Sequence, residues 1–354
     1  MSHSRFHILW VLLFAAQAGF AEQMPAGFYD GVNGKQDAAL KVALKDLIHD
    51  HTNIPYGSGI GKTWEVFYYS DRDSNGYCMD MYCDDWKKLD SPGAVASGCN
   101  IEHSMANSWW GGSKTPPYND CYHLNPSNAT ANSARSNYPI GVPEKDIRTA
   151  GSLRIGKIHH DSLNVDFYVF EPKDEYKGDF ARAYLYMATC YGQNANGEYP
   201  DLPANNKKSY PGWRVDNGDV GSKYAMQNRN YLEFQPWEQA VLIAWHRLDP
   251  VSEKEVKRQD AVSNFQHNRN PFIDYPYLAE YIWGEKAGQP VEMNRLLCSS
   301  DPRFELGVSN GWMADQTALD EPETAPAATK VLMNGQLYIR IGDQLYTVTG
   351  LICH

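Results

Sequence analysis

The sequence lacks any long apolar segment beyond its first residues. The apolar run from Ile8 to Ala16 is too short to span a bilayer as a helix, and no later segment is as apolar. Arg5 precedes this run, and the small residues Gly19 and Ala21 follow it. This order is typical of a signal peptide. We therefore predict a signal peptide over residues 1–21 and a mature protein that is secreted or periplasmic.

Positive charge is also scarce. The chain has 32 Lys and Arg residues against 43 Asp and Glu residues, and its formal net charge is −11. Proteins with a long electrostatic footprint on nucleic acid need many cations to neutralise phosphates. The acid excess therefore argues against tight binding of this kind. It does not argue against cleavage of nucleic acid at a site where a metal ion supplies the positive charge.

The seven cysteines form no Cys-x-x-Cys motif, which argues against a zinc cluster or a thioredoxin-like site. In an exported protein, disulfide bonds are plausible. Cys78 and Cys83 are close enough in sequence for a local bridge, and a bridge between Cys99 and Cys121 is a second possibility. An odd number leaves at least one thiol without a partner in the chain, and the sequence does not determine the pairing.

The residues with the clearest chemistry lie between Gly98 and Pro139, where Glu102 and His103 are adjacent. A neutral imidazole accepts a proton from water near neutral pH. A hard cation such as Mg²⁺ prefers oxygen ligands and keeps several waters, so a single carboxylate is a useful ligand. Adjacent residues of a regular strand point to opposite faces. We therefore expect the chain to bend at this pair if both side chains reach one site.

A short helix is predicted downstream, because Asn125 suits the N-cap and Pro126 the first helical position. Asn128, Asn132 and Arg135 are then spaced i, i+4, i+7 and share a face. Asn132 supplies a second oxygen ligand, Arg135 two parallel hydrogen bonds to a phosphate, and Asn128 a further substrate contact. A base, a carboxylate, an amide and a cation in one stretch favour metal-assisted phosphodiester cleavage.

The same stretch resembles the bacterial endonuclease I family of secreted and periplasmic nucleases. That family has an Asn/Arg-x-Glu-His block, an Asp-Leu-His-His/Asn-Leu-x-Pro block and an Asn-x-x-Arg-x-Asn block. The matching segments here are Asn100–His103, Asp120–Pro126 and Asn132–Asn137. Cys121 and Tyr122 stand where the family usually has Leu and His, so any role of that first family His is in doubt in this chain. Many members also have an Asn-Gly-x-x-x-Asp-Met-Tyr strand like the one that ends here at Tyr82.

The resemblance implies an α+β fold with a ββα-metal (His-Me finger) core and surrounding helices. It implies that His103 is the general base and that Glu102 and Asn132 bind one Mg²⁺ ion, with Ca²⁺ or Mn²⁺ as alternatives. Arg135 holds the phosphate or orders the helix. The implied substrates are DNA and also RNA, cut without sequence preference to leave 5′-phosphate ends, since a site that contacts phosphate reads little sequence. We expect a monomer.

Three more arginines are candidate substrate-binding residues. Arg182 lies in a helix predicted over residues 178–188, in a block that recurs in the family. Arg247 lies near the end of a helix predicted over 236–248. Arg269 belongs to an Asn-Arg-Asn-Pro-Phe-Ile-Asp run that resembles the end of the family's nuclease domain. The alternative for these arginines is a local role in ion pairs that fix the structure.

The other predicted elements divide the chain into a nuclease domain, a linker and a tail. Strands are predicted over 66–69, 153–160 and 165–171. The nuclease domain covers residues 22–307, and residues 308–329 form an Ala-, Thr- and Pro-rich linker. Residues 330–354 form a β-hairpin module with an Asn-Gly turn. It resembles C-terminal tails of exported proteins of Bacteroidetes and related bacteria, which suggests sorting or cell-surface attachment. The alternative is a strand pair that docks onto the main domain.

The aromatic content of 13%, with 23 Tyr and 10 Trp, supports an alternative function. The protein would then be a secreted polysaccharide- or cell-wall-binding protein that stacks sugars on Trp86, Trp109 and Trp110. Core packing of these tryptophans is the other interpretation. A catalytically inactive nuclease-like domain is a milder alternative. Metal-dependent turnover distinguishes an enzyme from each of them.

Overall fold

The computed structural model describes residues 24–112, 114, 116–160, 164–194, 196–199, 212–215 and 220–307. It also describes four strand segments near the C-terminus, 329–333, 336–341, 344–347 and 352–353. The predicted signal peptide and nearly all of the predicted linker lie outside the described residues. None of the described helices is both long and apolar enough to cross a membrane.

Ten α-helices and eleven β-strands occur within the described residues. The helices are α1 (Asp37–Ile48), α2 (Thr63–Ser70), α3 (Pro116–Asn119), α4 (Ala129–Arg135), α5 (Lys177–Cys190), α6 (Val220–Ala225), α7 (Pro236–Leu248), α8 (Glu253–Gln266), α9 (Pro271–Asp274) and α10 (Leu278–Trp283). The strands are β1 (Tyr77–Asp80), β2 (Asp85–Lys88), β3 (Cys99–His103), β4 (Leu124–Asn128), β5 (Lys145–Ala150), β6 (Leu153–His160), β7 (Val165–Glu171), β8 (Thr329–Met333), β9 (Gln336–Ile341), β10 (Gln344–Thr347) and β11 (Ile352–Cys353).

These strands form small antiparallel sheets. β1 pairs with β2, β3 pairs with β4, and β5, β6 and β7 form a three-stranded sheet in sequence order. β8 to β11 form a four-stranded antiparallel sheet, where the sequence predicted a hairpin. Helices and small antiparallel sheets together confirm the α+β class.

The helix α5 lies at the centre of the main domain. All of its residues except Asp179 are buried, and it packs against α1, α7 and α9. A helix that is buried on every side belongs inside the core. At Gly178 a Cβ atom would lie 1.8 Å from the carbonyl oxygen of Asp249, so only glycine permits this close approach. The predictions of this helix and of the helix over 236–248 are confirmed.

The predicted strand over residues 66–69 is wrong, because these residues lie in α2. Trp64 and Phe67 are three residues apart and therefore lie on one helical face, where both are buried and their rings pack edge to face at 5.3 Å. α2 packs along α8. Tertiary packing thus outweighs the strand preference of aromatic and β-branched residues. The predicted strands over 153–160 and 165–171 are confirmed.

The helix start predicted at Asn125 is also wrong. Asn125 and Pro126 lie in β4, opposite Glu102 and Ile101 of β3. The helix α4 begins at Ala129, and Asn128 is its N-cap. Asn125 and Asn128 are both suitable N-cap residues. Pairing with β3 keeps Asn125 in an extended conformation, so Asn128 is the N-cap.

No disulfide bond links the cysteines between residues 24 and 307. Cys78, Cys83, Cys99 and Cys121 are free thiols in the structure. The bridges considered for Cys78 with Cys83 and for Cys99 with Cys121 are therefore not formed. Cys78 instead packs in a small apolar cluster that Cys99 also touches.

A buried ion pair joins α5 to α8. Arg182 is fully buried, and its Nε and Nη2 donate to the two carboxylate oxygens of Glu255 at 2.6 Å each. Its Nη1 also donates to the carbonyl oxygen of Asp249 at 2.8 Å. The planar guanidinium suits such bidentate pairing. Removing one partner leaves the other charge buried without compensation.

We expect Arg182→Ala to lower the free energy of unfolding by about 3–5 kcal/mol, because Glu255 then lacks its partner. Replacing both residues by Met restores most of that loss, since no buried charge remains. Urea unfolding measures both effects. Lys257→Ala removes the exposed pair with Glu253 and is the control, with an expected change within about 0.5 kcal/mol. Equal losses in Arg182→Ala and Lys257→Ala contradict this account.

Candidate active site

The strand β3 places Glu102 and His103 at its C-terminal end. Glu102 pairs with Asn125 and His103 with Leu124, and this register is continuous along the strand. The ladder continues beyond the strand, since the backbone N–H of Ser104 donates to the carbonyl of His123 at 3.0 Å. The bend expected at this pair is therefore absent. The two side chains leave the strand on alternate faces and contact different neighbours.

The carboxylate of Glu102 is buried beside α4. Its Oε1 accepts a hydrogen bond of 2.6 Å from the Tyr82 hydroxyl and lies 3.2 Å from Nη1 of Arg135. Burial raises the pKa of Glu102 to about 7, although the Arg135 charge and hydrogen bonds from Tyr82 and Asn132 lower it. Burial and the neighbouring positive charge thus act in opposite directions on this carboxyl group. A further positive charge nearby would lower its pKa and favour the ionised form.

Asn132 is the second predicted ligand, and α4 brings it to Glu102. Its Nδ2 donates to Oδ1 of Asn100 at 2.8 Å, and its amide is close enough to the Glu102 carboxyl group to lower the pKa of that group. Asn128 caps the helix, and its predicted substrate contact stays a prediction. Its Oδ1 accepts the backbone N–H groups of Thr130 and Ala131, so the side chain caps the helix that carries Asn132.

The side chains around Glu102 fit a hard divalent cation. Glu102 contributes a carboxylate, and Asn132 and Asn100 contribute amides, whose oxygen faces an ion after rotation of the amide group. Such oxygen donors suit Mg²⁺, Mn²⁺ or Ca²⁺, and few protein ligands suffice for Mg²⁺ because it retains waters. The donor set therefore matches the predicted ion and would not select a soft metal.

A second group of metal-ligating residue types is satisfied without an ion. Ligand atoms of His51, Asp120 and Cys190 lie within 4.8 Å of one another. Oδ2 of Asp120, however, already accepts hydrogen bonds of 2.7 Å from the hydroxyls of Tyr186 and Tyr191. These bonds account for the buried carboxylate, so we assign this group a structural role.

His103 is held in one tautomer. Its Nε2 lies 2.9 Å from the carbonyl oxygen of Tyr118. Because a carbonyl only accepts hydrogen bonds, Nε2 carries the proton and Nδ1 carries the lone pair. The ring stacks on Tyr56 at 5.4 Å and contacts Tyr118 at 4.4 Å. Burial, assisted by the neighbouring His123, lowers the pKa of His103 to about 3, so the imidazole is neutral at physiological pH.

The two departures from the family pattern are part of the core. Cys121 and Tyr122 are both buried, and the Tyr122 hydroxyl donates to the carbonyl of Asn268 at 2.7 Å. The next residue, His123, is fully buried, and its Nε2 lies 2.7 Å from the carbonyl of Pro117. These side chains are therefore part of the packed core next to the end of β3.

Arg135 is buried and connects the parts of the site. Its Nη1 donates to the carbonyl oxygen of His103 at 3.2 Å, and its Nη2 donates to the carbonyl of Ser104 and to the Tyr184 hydroxyl. With the Glu102 contact, these bonds join α4 to the end of β3. Because only 1% of Arg135 is exposed, the guanidinium orders the site. Its predicted role in holding phosphate has no support in this arrangement.

The other three predicted arginines are held by carboxylates, away from Glu102 and His103. Arg182 pairs with Glu255, as described above. Arg247 donates to both oxygens of Glu280 at 2.7 and 2.6 Å. Arg269 bonds to Asp274 and Asp260. Each therefore has the ion-pair role that was the alternative, and substrate binding by them stays a prediction.

The proposed sugar platform is not assembled. Trp109 and Trp110 are fully buried, whereas Trp86 is 47% exposed. Trp86 lies with Met79 and Phe180 on the wall of a cavity of about 640 Å³ between the β1–β2 ribbon and α8. Glu102, His103 and Asn132 are not among its lining residues. This cavity is therefore separate from the candidate active site.

Sequence reasoning missed several supporting residues. Tyr82 contacts Glu102, Asn100 contacts Asn132, and the carbonyl of Tyr118 orients His103. Asp80 is buried and accepts the backbone N–H of Asn128 at 2.9 Å, which fixes the start of α4. The family's Asn-Gly-x-x-x-Asp-Met-Tyr strand contains both Asp80 and Tyr82 and was the available signal.

A buried carboxyl group near Arg135 gives the protein a pH-dependent stability. Glu238 of α7 is fully buried, and neither carboxyl oxygen has a hydrogen-bond partner among the described residues. Burial raises the pKa of Glu238 well above its usual range, with the Arg135 charge opposing this. The folded state thus favours the protonated form. The contribution of Glu238 to the free energy of unfolding is fully present below the unfolded pKa of about 4.3. It is lost as the pH rises from there through the folded pKa.

We expect Glu238→Gln to remove this pH-dependent loss. The difference in free energy of unfolding between the variant and the wild type then shifts in favour of the variant. The shift is up to about 1.4 kcal/mol for each pH unit above about 4.3, until the folded pKa is reached. Urea unfolding at pH 4, 5.5 and 7 measures the difference. Glu253→Gln, at an exposed position, is the control and should follow the wild type. Parallel curves for Glu238→Gln and the wild type contradict the assignment.

The chain is similar to a known protein family and to two curated proteins. The family model for Endonuclease I matches residues 37–277. The extracellular ribonuclease of Bacillus subtilis (strain 168) is 30% identical over 260 residues, which cover 72% of this chain and 78% of that protein. The extracellular ribonuclease of Bacillus amyloliquefaciens is 32% identical over 260 residues, with the same coverage. Because the family model covers more than half of the sequence, the chain belongs to the Endonuclease I family.

Proposed function

We propose that the protein is a secreted, divalent-metal-dependent nuclease that hydrolyses phosphodiester bonds of RNA and DNA. The observation that carries this proposal is that Asn132 lies near the Glu102 carboxylate at the β3 end, while the adjacent His103 leaves the strand on the other face as a neutral imidazole of fixed tautomer. β3, β4 and α4 follow one another as strand, strand and helix, which supports a ββα-metal core.

Each residue has a distinct task in the proposed reaction. Glu102 and Asn132 hold one ion, Mg²⁺ first and Mn²⁺ or Ca²⁺ as alternatives. When bound, such an ion neutralises charge on the scissile phosphate and on the departing 3′ oxygen. Nδ1 of His103 takes the proton of the attacking water, while the Tyr118 carbonyl holds the other side of the ring. Attack by water leaves a 5′-phosphate and a 3′-hydroxyl.

The relatives guide the choice of substrate and location. Both are named extracellular ribonucleases, which supports RNA as a substrate and secretion of this chain. Attack by an external water does not use the 2′-hydroxyl, so the same site can cut DNA. A site that contacts phosphate reads little sequence, and we infer cleavage without sequence preference.

His103→Ala should lower kcat by about 10²–10⁴, because the general base is lost while the metal ligands remain. Mg²⁺ affinity measured by calorimetry should be unchanged in this variant. Glu102→Gln should lose both metal affinity and activity. The assay follows fluorescent RNA and DNA of the same sequence in Mg²⁺ and in EDTA. His159→Ala, at a partly exposed histidine of β6, is the matched control and should retain full activity.

Two outcomes contradict the proposal. One is cleavage that persists in EDTA or in His103→Ala at the wild-type rate. The other is no cleavage of either polymer by folded wild-type protein in Mg²⁺, Mn²⁺ or Ca²⁺. Phosphatase sensitivity of the new 5′ ends tests the products separately, since 5′-hydroxyl ends would exclude the proposed direction of attack.

A further inference from the structure

The edge strand β5 lies beside the helix that carries Asn132. Residues 145–149 of this strand are all exposed. β5 pairs only with β6 in its sheet, and α4 packs against both strands. The outer edge of β5 therefore forms an open surface next to the candidate active site.

An irregularity in β5 turns one cation towards α4. Lys145 pairs with Lys157 and Arg148 pairs with Ile155, so three steps along β5 correspond to two along β6. This extra residue is a β-bulge, which re-aims the side chains that follow it. Lys145 and Arg148 therefore share a face, although an odd spacing normally puts them on opposite faces. That face also carries the buried Ile155.

The guanidinium of Arg148 is fixed against α4. Its Nη2 donates to the carbonyl oxygen of Ala134 at 3.1 Å. Ala134 lies two residues after Asn132 on α4, a rise of about 3 Å along the helix axis and a turn of about 200° around it. One hydrogen bond leaves further N–H donors on the guanidinium, and the side chain is exposed. Arg148 is thus held against the helix that carries the predicted metal ligand, with donors still available.

Arg148 differs from the other cations of this sheet. Lys145 lies 3.6 Å from Asp166, Lys157 lies 2.7 Å from Asp146, and Arg154 pairs with Glu171. For Arg148, no carboxylate of the described residues lies within 4.0 Å. In a chain of net charge −11, an exposed arginine without an acidic partner beside the site is a favoured position for an anion.

We propose that Arg148 binds a second substrate phosphate, adjacent to the one that is cut. The inference rests on the proposed function and deepens it, because the site then recognises two consecutive phosphates of a polynucleotide. Arg forms two parallel hydrogen bonds with a phosphate, and such contacts position the chain without reading bases. The enzyme therefore prefers an oligonucleotide to an isolated phosphodiester.

The test compares a polynucleotide with bis(4-nitrophenyl) phosphate, a diester that has no second phosphate. Arg148→Ala should raise KM for RNA and DNA about tenfold or more, with kcat nearly unchanged, because one charge-assisted contact is lost. Its activity on the small diester should equal that of the wild type. The salt dependence of polynucleotide binding should weaken by about one unit of slope. Arg148→Lys should recover part of the affinity.

Lys157→Ala is the matched control, since it removes an exposed cation of the same sheet that already has an acidic partner. Equal KM values in Arg148→Ala and Lys157→Ala overturn the inference. An equal loss on both substrates in Arg148→Ala also overturns it, because that result indicates a structural role. The proposed function fails by a different result, namely no metal-dependent cleavage of either substrate by the wild type.

Discussion

The candidate active site depends on one buried guanidinium. Arg135 donates from α4 to the carbonyls of His103 and Ser104 and contacts the carboxylate of Glu102. Its plane also lies over the ring of Phe170 at 4.6 Å, and Nη2 meets the Tyr184 hydroxyl of the central helix. Arg135 thus joins β3, α4, β7 and α5. These buried contacts fix the distance between α4, which carries Asn132, and β3, which carries Glu102. A buried charge with these partners is strongly specified in position.

This arrangement explains how an acidic protein can act on a polyanion. The cations that organise the site are buried and paired, so they contribute little to the electrostatic potential at the protein surface. They therefore do not offset the net charge of −11 at that surface. The donors around Glu102 are neutral amides and a carboxylate, which would suit a hard external cation. We infer that the charge needed to hold phosphate comes from this ion and from a few placed side chains such as Arg148, and that long-range steering has a small part.

The sequence identified the residues of the candidate site more readily than the local structure around them, and the roles of these residues stay predictions. Glu102, His103 and Asn132 follow from residue type and from three motif blocks, and the helix over 236–248 follows from apolar periodicity. The start of α4 could not be predicted from the sequence, because it depends on contacts between residues far apart in the chain. These contacts are the pairing of β4 with β3 and the hydrogen bond from the backbone N–H of Asn128 to Asp80. The buried state of Arg135 was likewise hidden, since charged residues at helical spacing give no sign of which face is enclosed. Long-range contacts of this kind leave no periodic signal.

The most direct test of this account is the Mg²⁺ affinity of Arg135→Lys, measured by calorimetry together with KM and kcat on RNA. Arg182→Lys is the control, since it alters another fully buried arginine without touching Glu102. If Arg135 orders the site, its variant loses metal affinity and kcat while KM stays near the wild-type value, and the control retains its metal affinity. Normal metal affinity with a strongly raised KM would mean that Arg135 contacts the phosphate itself, and it would contradict the structural role assigned to this residue.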